Sequence, residues 1–185
     1  MIVLETGYLN RGDGETHHYA AGFNGLNGRA DFRNRGMPRD RFDKLHIEVK
    51  PWRDNGKHVV VCGQVPWDAS VDHLDYYAWR SKTLGALTAN GREVIYKEHP
   101  AMKPRIEPLS KYLEGAWAVV TLNSNSAVEA AIDGVPVFAS DEGSMAWPIA
   151  NKDLRQLKAP QKPDRQQWLN DLAYAQCTLQ ELRDG

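Results

Sequence analysis

The 185-residue chain has few of the features that mark secreted or membrane proteins. Its two cysteines, Cys62 and Cys177, cannot build the disulfide framework of a small secreted domain. No apolar run approaches the roughly 18 residues that span a membrane, and no basic segment followed by an apolar stretch marks a signal peptide. We therefore expect a cytoplasmic protein that does not enter a membrane.

Common metal and cofactor signatures are absent as well. His17, His18 and the two cysteines do not have the spacing of metal ligands. The sequence contains no G-x-G-x-x-G motif, no P-loop and no serine nucleophile elbow. Its net charge of −1 creates no overall attraction to nucleic acid. The sequence therefore predicts polar chemistry without a metal or a resident cofactor.

Composition is that of a globular protein, with 42% hydrophobic and 25% charged residues. From residue 58 onward, short apolar runs alternate with amphipathic segments. Such alternation predicts parallel β-α-β units with right-handed crossovers, and hence a Rossmann-like α/β fold whose ligands bind at the carboxyl ends of the strands. The predicted strands are residues 58–63, 93–97, 117–121 and 136–139, and the predicted helices are residues 71–88, 109–114 and 126–133.

The two ends of the chain have a different pattern. Residues 2–5 fit one more strand, whereas residues 7–41 are rich in Gly, Asn and Arg and too long for an ordinary connection. That length predicts a functional loop region or disorder. A last helix is predicted over residues 164–175, with Asp164 as its N-cap. We expect a Gly- and Arg-rich segment over residues 1–57 and a Rossmann-like domain with C-terminal helices over residues 58–185.

The loop after the first predicted strand, residues 63–70, carries a carboxylate and an amide. Asp68 and Gln64 are suited to orient a sugar hydroxyl, and Asp68 could act as a base. The alternative interpretation is a simple turn in which Asp68 or Ser70 caps the next helix. Both interpretations stay open on the sequence alone.

The loop after the next strand, residues 97–100, contains two side chains that can be cationic. Lys97 and His99 are suited to contact a phosphate or a ribose, and Pro100 fixes the local backbone. The alternative is a surface loop with a solvated histidine.

The third loop, residues 121–130, leads small polar residues into a helix. Free backbone N–H groups and the helix dipole at such a position suit a phosphate, and Glu129 is placed to bond a ribose. A capping box between Ser126 and Glu129 explains the same residues and is compatible with phosphate binding. The other candidate ligands in this loop are Asn123, Ser124 and Asn125.

The fourth loop, residues 141–148, follows the last predicted strand. Its polar residues, including Ser144, could line the same crevice as the other three loops. The alternative is a turn with Trp147 packed in the core.

Together the four loops resemble the nucleotide-binding half of the bacterial capsule Kdo transferases and, more loosely, of the polysialyltransferases. These families are glycosyltransferases of the two-Rossmann (GT-B) type. The similar segments are Gly63–Ser70 (G-Q-V-x-x-D-A-S), Tyr96–Pro100 (Y-K-P-H-P, with Glu98 at the first proline), Thr121–Ala130 (a Ser/Thr-rich turn before G-x-E-A, with Val128 at the glycine) and Gly143–Pro148. A closer resemblance, over residues 23–32 and 141–148, is to phage-encoded GT-B-type glycosyltransferase-like proteins.

The resemblance implies a nucleotide-sugar-dependent glycosyltransferase with a GT-B-like nucleotide-binding half and a short or truncated N-terminal part. By resemblance Asp68 is the catalytic candidate, and the nucleotide sugar is a donor substrate that needs no metal. The implied donor-binding residues are Gln64, Lys97, His99, Asn123, Ser124, Asn125, Ser126, Glu129 and Ser144.

The acceptor has more than one candidate. Phage relatives suggest a hydroxymethylated pyrimidine in DNA, with Arg29 and Arg33 of an arginine cluster on backbone phosphates and Asn24 and Asn27 in a loop that admits a flipped base. The same arginines fit a solvated surface loop paired with aspartates. The alternatives are a surface or capsular polysaccharide acceptor, or a non-catalytic nucleotide-sugar-binding module. A homodimer would be one way to supply a missing half.

Overall fold

The computed structural model describes residues 1–11, 17–32, 34–89, 91–103 and 105–184. These residues form two compact units, Met1–Glu48 with Pro163–Gly185, and Val49–Lys162. The strands are β1 (Ile2–Thr6), β2 (His18–Phe23), β3 (His58–Cys62), β4 (Glu93–Lys97), β5 (Ala116–Thr121), β6 (Val137–Ala139) and β7 (Gln176–Thr178). The helices are α1 (Asp40–Lys44), α2 (Tyr76–Thr88), α3 (Leu109–Leu113), α4 (Ser126–Ile132), α5 (Gln166–Tyr174) and α6 (Leu179–Asp184).

The unit Val49–Lys162 is built on a parallel sheet in the order β4-β3-β5-β6. Its central strand β3 contains Val59, Val60 and Val61, which are fully buried because both faces of the sheet are covered. The predicted α/β fold with a Rossmann-like parallel sheet is confirmed. The strand order changes direction between β3 and β5, and open α/β sheets bind ligands outside the carboxyl ends at such a switch point.

The starts or N-caps of three helices differ from the sequence prediction. Helix α5 begins at Gln166 with Arg165 as its N-cap, so the predicted N-cap Asp164 is wrong. Helix α2 begins at Tyr76 rather than at residue 71, because the preceding residues form turns and the Asp75 carboxylate accepts a hydrogen bond from the Ala78 N–H (2.9 Å). Ser126 is the first residue of α4, and Asn125 is its N-cap. The predicted capping box with Ser126 as N-cap is therefore wrong.

The other unit contains an antiparallel sheet in the order β1-β2-β7. Residues 7–41, expected to be a loop region or disorder, contain β2 and the start of α1. The C-terminal residues, expected in the Rossmann-like domain, group with the N-terminal ones. The reason is that β7 pairs with β2, and the buried Gln176 amide bonds the backbone of Tyr8 and Leu9.

Within the described ranges, no helix has both the length and the apolar character to cross a bilayer.

Candidate active site at the carboxyl edge of the parallel sheet

Two buried amides join the loops that follow β3 and β5. Gln64 donates from Nε2 to Asn123 Oδ1 (2.6 Å), and the Asn123 backbone N–H donates to Gln64 Oε1 (3.0 Å). Both side chains are less than a tenth exposed. The sequence predicted that these loops meet at the edge of the sheet, and the two side chains are in direct contact there, at the switch point.

Asn123 extends this pair to the loop after β6. Its Nδ2 donates to Asp141 Oδ1 (2.9 Å) and to the Ser70 carbonyl (2.7 Å). The Gly143 N–H also donates to Asp141 Oδ1 (3.0 Å). One side chain thus ties together three of the four strand-end loops.

A histidine and an aspartate also meet here. His73 Nε2 lies 3.3 Å from Asp141 Oδ2, and His73 Nδ1 lies 3.8 Å from Asp72 Oδ1. Asp141 is buried, whereas the His73 side chain is 36% exposed. The pair can orient the imidazole and exchange a proton with solvent or with a ligand.

Asp68, the predicted catalytic residue, is exposed on the loop after β3. Its Oδ1 accepts hydrogen bonds from the Ser70 N–H (2.9 Å) and the Ser70 hydroxyl (2.6 Å). The turn interpretation of this residue therefore has a structural basis. Because Ser70 also bonds Asn123, Asp68 is linked to the buried network through one intermediate residue.

Two tyrosines connect the loop after β4 to this network. The Tyr76 hydroxyl accepts from the Gln64 N–H (2.9 Å) and lies 2.9 Å from the Tyr96 hydroxyl, which donates to Glu98 Oε1 (3.3 Å). Burial, reinforced by the bond to Tyr76, raises the pKa of Tyr96, so its phenol stays protonated. A Cβ at Gly63 would lie only 2.5 Å from the Tyr96 hydroxyl oxygen.

Lys97 is a buried cation at the end of β4. Its side chain is among the few buried charged groups, and its Nζ lies 5.6 Å from the centre of the Tyr112 ring. The part of the chain that the structure describes offers this ammonium no hydrogen bond and no carboxylate. A lysine whose stem is packed in the protein and whose ammonium has no carboxylate beside it is suited to an anionic ligand, which makes Lys97 a candidate contact.

Cys62 lies on the neighbouring strand β3 and is fully enclosed. Burial raises the pKa of its thiol to about 11, against smaller opposing contributions from a hydrogen bond with Ser126 and the charge of Lys97. The thiol is therefore neutral at physiological pH and is not a nucleophile.

The loop after β5 forms its own turn. The Ser124 N–H donates to Thr121 Oγ1 (3.2 Å), and the Ser126 N–H donates to Ser124 Oγ (3.2 Å). Asn125 is the N-cap of α4, and Glu129 is exposed in the first turn of that helix. The sequence predicted that free backbone N–H groups in this loop bind phosphate. One of them, the N–H of Ser126, already has an acceptor in the Ser124 hydroxyl.

His99 and Ser144 lie in turns of their own. His99 Nδ1 accepts from the Ala101 N–H (3.2 Å), so in the neutral ring the proton is on Nε2. Ser144 is 1% exposed, and its hydroxyl accepts from the Ala146 N–H (3.3 Å). His99 is partly exposed, whereas Ser144 is enclosed.

The predicted acceptor residues lie in the other unit. Asn24 and Asn27 have positive φ values of 58° and 52°, and the Tyr8 hydroxyl donates to Asn27 Oδ1 (3.3 Å). Arg29 is exposed at the end of a 3-10 turn. Arg33 lies outside the described residues.

Sequence reasoning missed His73, Asp141 as its partner, and Tyr76. His73 lies in a turn that the sequence assigned to a helix, and its partner is 68 residues away. Only a search for a histidine and an aspartate near strand ends could have suggested the pair. The described residues contain no group of three or more His, Cys, Asp or Glu side chains that could hold a metal ion.

Comparison with solved structures gives matches over nearly the whole chain. KpsC from Thermosulfurimonas dismutans, a beta Kdo 2,7 transferase, superposes with a TM-score of 0.62 at 18% identity, covering 98% of this chain and 75% of that one. The beta Kdo 2,4 transferase of the same KpsC gives a TM-score of 0.61 at 13% identity, covering 99% and 78%. The chain shares the fold of these two structures. No family model and no curated protein matches the sequence.

Proposed function

We propose that the protein is a glycosyltransferase that uses a nucleotide sugar as donor. The observation that carries this proposal is the match of almost the whole chain to two Kdo transferases. The switch point between β3 and β5 supports it, because the most connected polar side chains of the unit lie there.

Lys97 supports an anionic donor. Its side chain is packed at the carboxyl end of β4, where the phosphate of a nucleotide sugar would supply a negative partner for the ammonium. His99, with its proton on Nε2, is a further donor of a hydrogen bond to phosphate or ribose. The remaining donor candidates are the loop residues Ser124, Asn125, Ser126 and Glu129.

In the proposed reaction Asp68 takes the proton from the acceptor hydroxyl. The acceptor oxygen forms a bond to the anomeric carbon as the bond between that carbon and the phosphate oxygen breaks. The electron pair of the broken bond leaves with the nucleotide. Hydrogen bonds from Ser70 hold one Asp68 oxygen and so fix the carboxylate for this transfer.

A surface or capsular polysaccharide is an acceptor that is compatible with the likeness to the two Kdo transferases. The second candidate, a hydroxymethylated pyrimidine in phage DNA, rests on the resemblance of residues 23–32 to phage-encoded proteins. The arginine cluster, residues 29–41, also contains Arg39 and Arg41, and both have carboxylate partners. Arg39 pairs with Asp43 (2.8 Å), and Arg41 pairs with Glu181 (2.8 Å). These ion pairs reduce the positive charge available to a DNA backbone.

Transfer can be tested by mass spectrometry after incubation with CMP-, UDP- and GDP-sugars, using glycans and hydroxymethylated DNA as acceptors. We expect a sugar adduct on a glycan, and we expect Asp68→Asn to lower the rate at least a hundredfold while the donor still binds. Donor binding with no transfer by wild type to any acceptor would favour the non-catalytic module. A well-folded sample that binds no nucleotide sugar would rule out both.

A further inference from the structure

Trp67 is the most exposed aromatic side chain among the described residues. It is 73% exposed, whereas Tyr77, the next, is 58% exposed. An indole left in water gives up the stabilisation that burial of its large apolar surface would bring. A single exposed apolar side chain does not by itself mark a binding site. This indole is a candidate ligand contact because it adjoins Asp68 and because its backbone is held in place.

The backbone that carries Trp67 is held by consecutive turns. The Asp68 N–H donates to the Val65 carbonyl (3.1 Å), and Pro66 fixes the residue before the indole. The next turn is closed by the Val71 N–H on the Asp68 carbonyl (2.9 Å). Asn123 then anchors the Ser70 carbonyl to the buried network. The indole is therefore presented from a fixed position next to Asp68.

The loop that carries the indole contains three carboxylates and one histidine, His73, whose ring nitrogens lie against Asp72 and Asp141. Asp68, Asp72 and Asp75 are exposed in the same loop, and no lysine or arginine occurs between residues 63 and 79. A phosphodiester or an acidic sugar would be repelled by these carboxylates. A neutral sugar would not, since its hydroxyls can donate hydrogen bonds to carboxylate oxygens while its C–H face covers the indole.

We propose that Trp67 is the stacking platform for the acceptor, and that the acceptor presents a neutral saccharide ring. This inference rests on the proposed glycosyltransferase function and names its acceptor class. A ring stacked on Trp67 brings its hydroxyls beside Asp68, the adjacent residue in the turn. Trp67 thereby positions the acceptor and selects it against anionic sugars and DNA.

The test is binding of neutral oligosaccharides by wild type and variants, measured by calorimetry without any nucleotide sugar. The probes are gluco-, galacto- and manno-oligosaccharides, with a Kdo-terminated glycan and a hydroxymethylcytosine oligonucleotide as anionic comparisons. We expect at least one neutral probe to bind, Trp67→Ala to weaken it about tenfold or more, and Trp67→Phe to restore part of the affinity. The matched control Tyr77→Ala changes another exposed aromatic residue, outside the turn, and should leave affinity unchanged.

Acrylamide quenching gives a second readout that needs no catalysis. The bound oligosaccharide should shield wild-type fluorescence and should not shield that of Trp67→Phe. Equal saccharide binding by wild type and Trp67→Ala, or binding of only the anionic probes, or of none, would overturn the proposal. Donor binding, titrated separately with CMP-, UDP- and GDP-sugars on the same samples, reports on the glycosyltransferase proposal independently.

Discussion

Asn123 is the residue on which the geometry of the sheet edge depends most. It bonds Gln64, Asp141 and the Ser70 carbonyl, and it lies almost completely out of solvent. The sequence suggested Asn123 and Gln64 as donor ligands, and this stays a prediction. Their mutual hydrogen bonds give them a second task, which is to hold three loops at fixed distances.

Replacing Asn123 by alanine should therefore destabilise the protein. The change leaves Gln64 Nε2 without its buried acceptor and removes the side-chain donor from the Ser70 carbonyl and from Asp141 Oδ1. We therefore expect the free energy of unfolding to fall by about 2–4 kcal/mol. Urea denaturation measures this. Ser124→Ala, one residue along the chain and partly exposed, is the control and should cost less than about 1 kcal/mol. Equal losses for the two variants would contradict the role of Asn123.

The two thiols should differ in reactivity. Cys62 is fully buried with a pKa raised to about 11, whereas Cys177 is partly exposed. We expect DTNB at pH 8 to modify one thiol of the native protein, and Cys177→Ala to abolish that reaction. Rapid labelling of Cys62 in the folded protein would show that the core of the sheet opens.

The same pKa shift predicts a dependence of stability on pH. The pKa of Cys62 in the folded protein lies above the ordinary thiol value of about 9, so folding favours the neutral form. The contribution of Cys62 to stability is complete below pH 9 and declines as the pH rises towards 11. Thermal unfolding between pH 7 and pH 11, compared with Cys62→Ala, isolates this decline.

At the level of elements, the loop after β3 depends on a glycine at its first position. A side chain at Gly63 would collide with the phenol of Tyr96, which Tyr76 holds in place. We expect Gly63→Ala to lower the free energy of unfolding by about 1–3 kcal/mol. The matched control is Gly85→Ala in α2, where a Cβ meets no atom within 4 Å, and it should stabilise by about 0.5–1 kcal/mol. Thermal or urea denaturation of both variants measures these changes in the free energy of unfolding. Stabilisation by Gly63→Ala would refute the predicted clash.

The parallel sheet could be predicted from sequence because its strands are locally encoded. The β-branched run of β3 and the bounds of β4 follow from the residues themselves, and the apolar faces repeat with the right period. Strand β2 could not be found this way, since His18–Phe23 has two alanines and a glycine. It is a strand because β1 and β7 pair with it, and β7 is more than 150 residues away.

The candidate site, like the fold, could be predicted only in part from the sequence. The rule that strand-end loops converge brought Gln64 and Asn123 together, but it could not identify His73 as the partner of Asp141. That pairing depends on turns within residues 71–75, where the helical pattern was misleading. The exposure of Trp67 likewise depends on the turn and not on residue type.

At the scale of the whole molecule, one unit is assembled from both ends of the chain. The Gln176 amide accepts from the Tyr8 and Leu9 N–H groups (2.8 and 2.9 Å) and donates to the Leu9 carbonyl (2.9 Å). Its side chain is one of the most buried polar groups. A C-terminal residue therefore stabilises the backbone that follows β1.

Gln176→Leu should loosen this unit selectively. Three buried backbone groups would lose their partners, a cost of about 3 kcal/mol. Hydrogen exchange followed by mass spectrometry should show reduced protection in β1 and β2 and unchanged protection in β3 and β5. Uniform loss of protection in both sheets would contradict the separate cores of the two units.

The central claim, that the carboxyl edge of the parallel sheet binds a nucleotide sugar, is tested most directly by calorimetric titration with CMP-, UDP- and GDP-sugars. Wild type should bind one of them, and Lys97→Met should lose at least tenfold in affinity. The variant should remain as stable as wild type, because methionine keeps the packed apolar stem. Lys111→Met, which changes an exposed lysine paired with Glu114, should bind like wild type. Wild-type affinity in Lys97→Met, or no binding by well-folded wild type, would contradict the account.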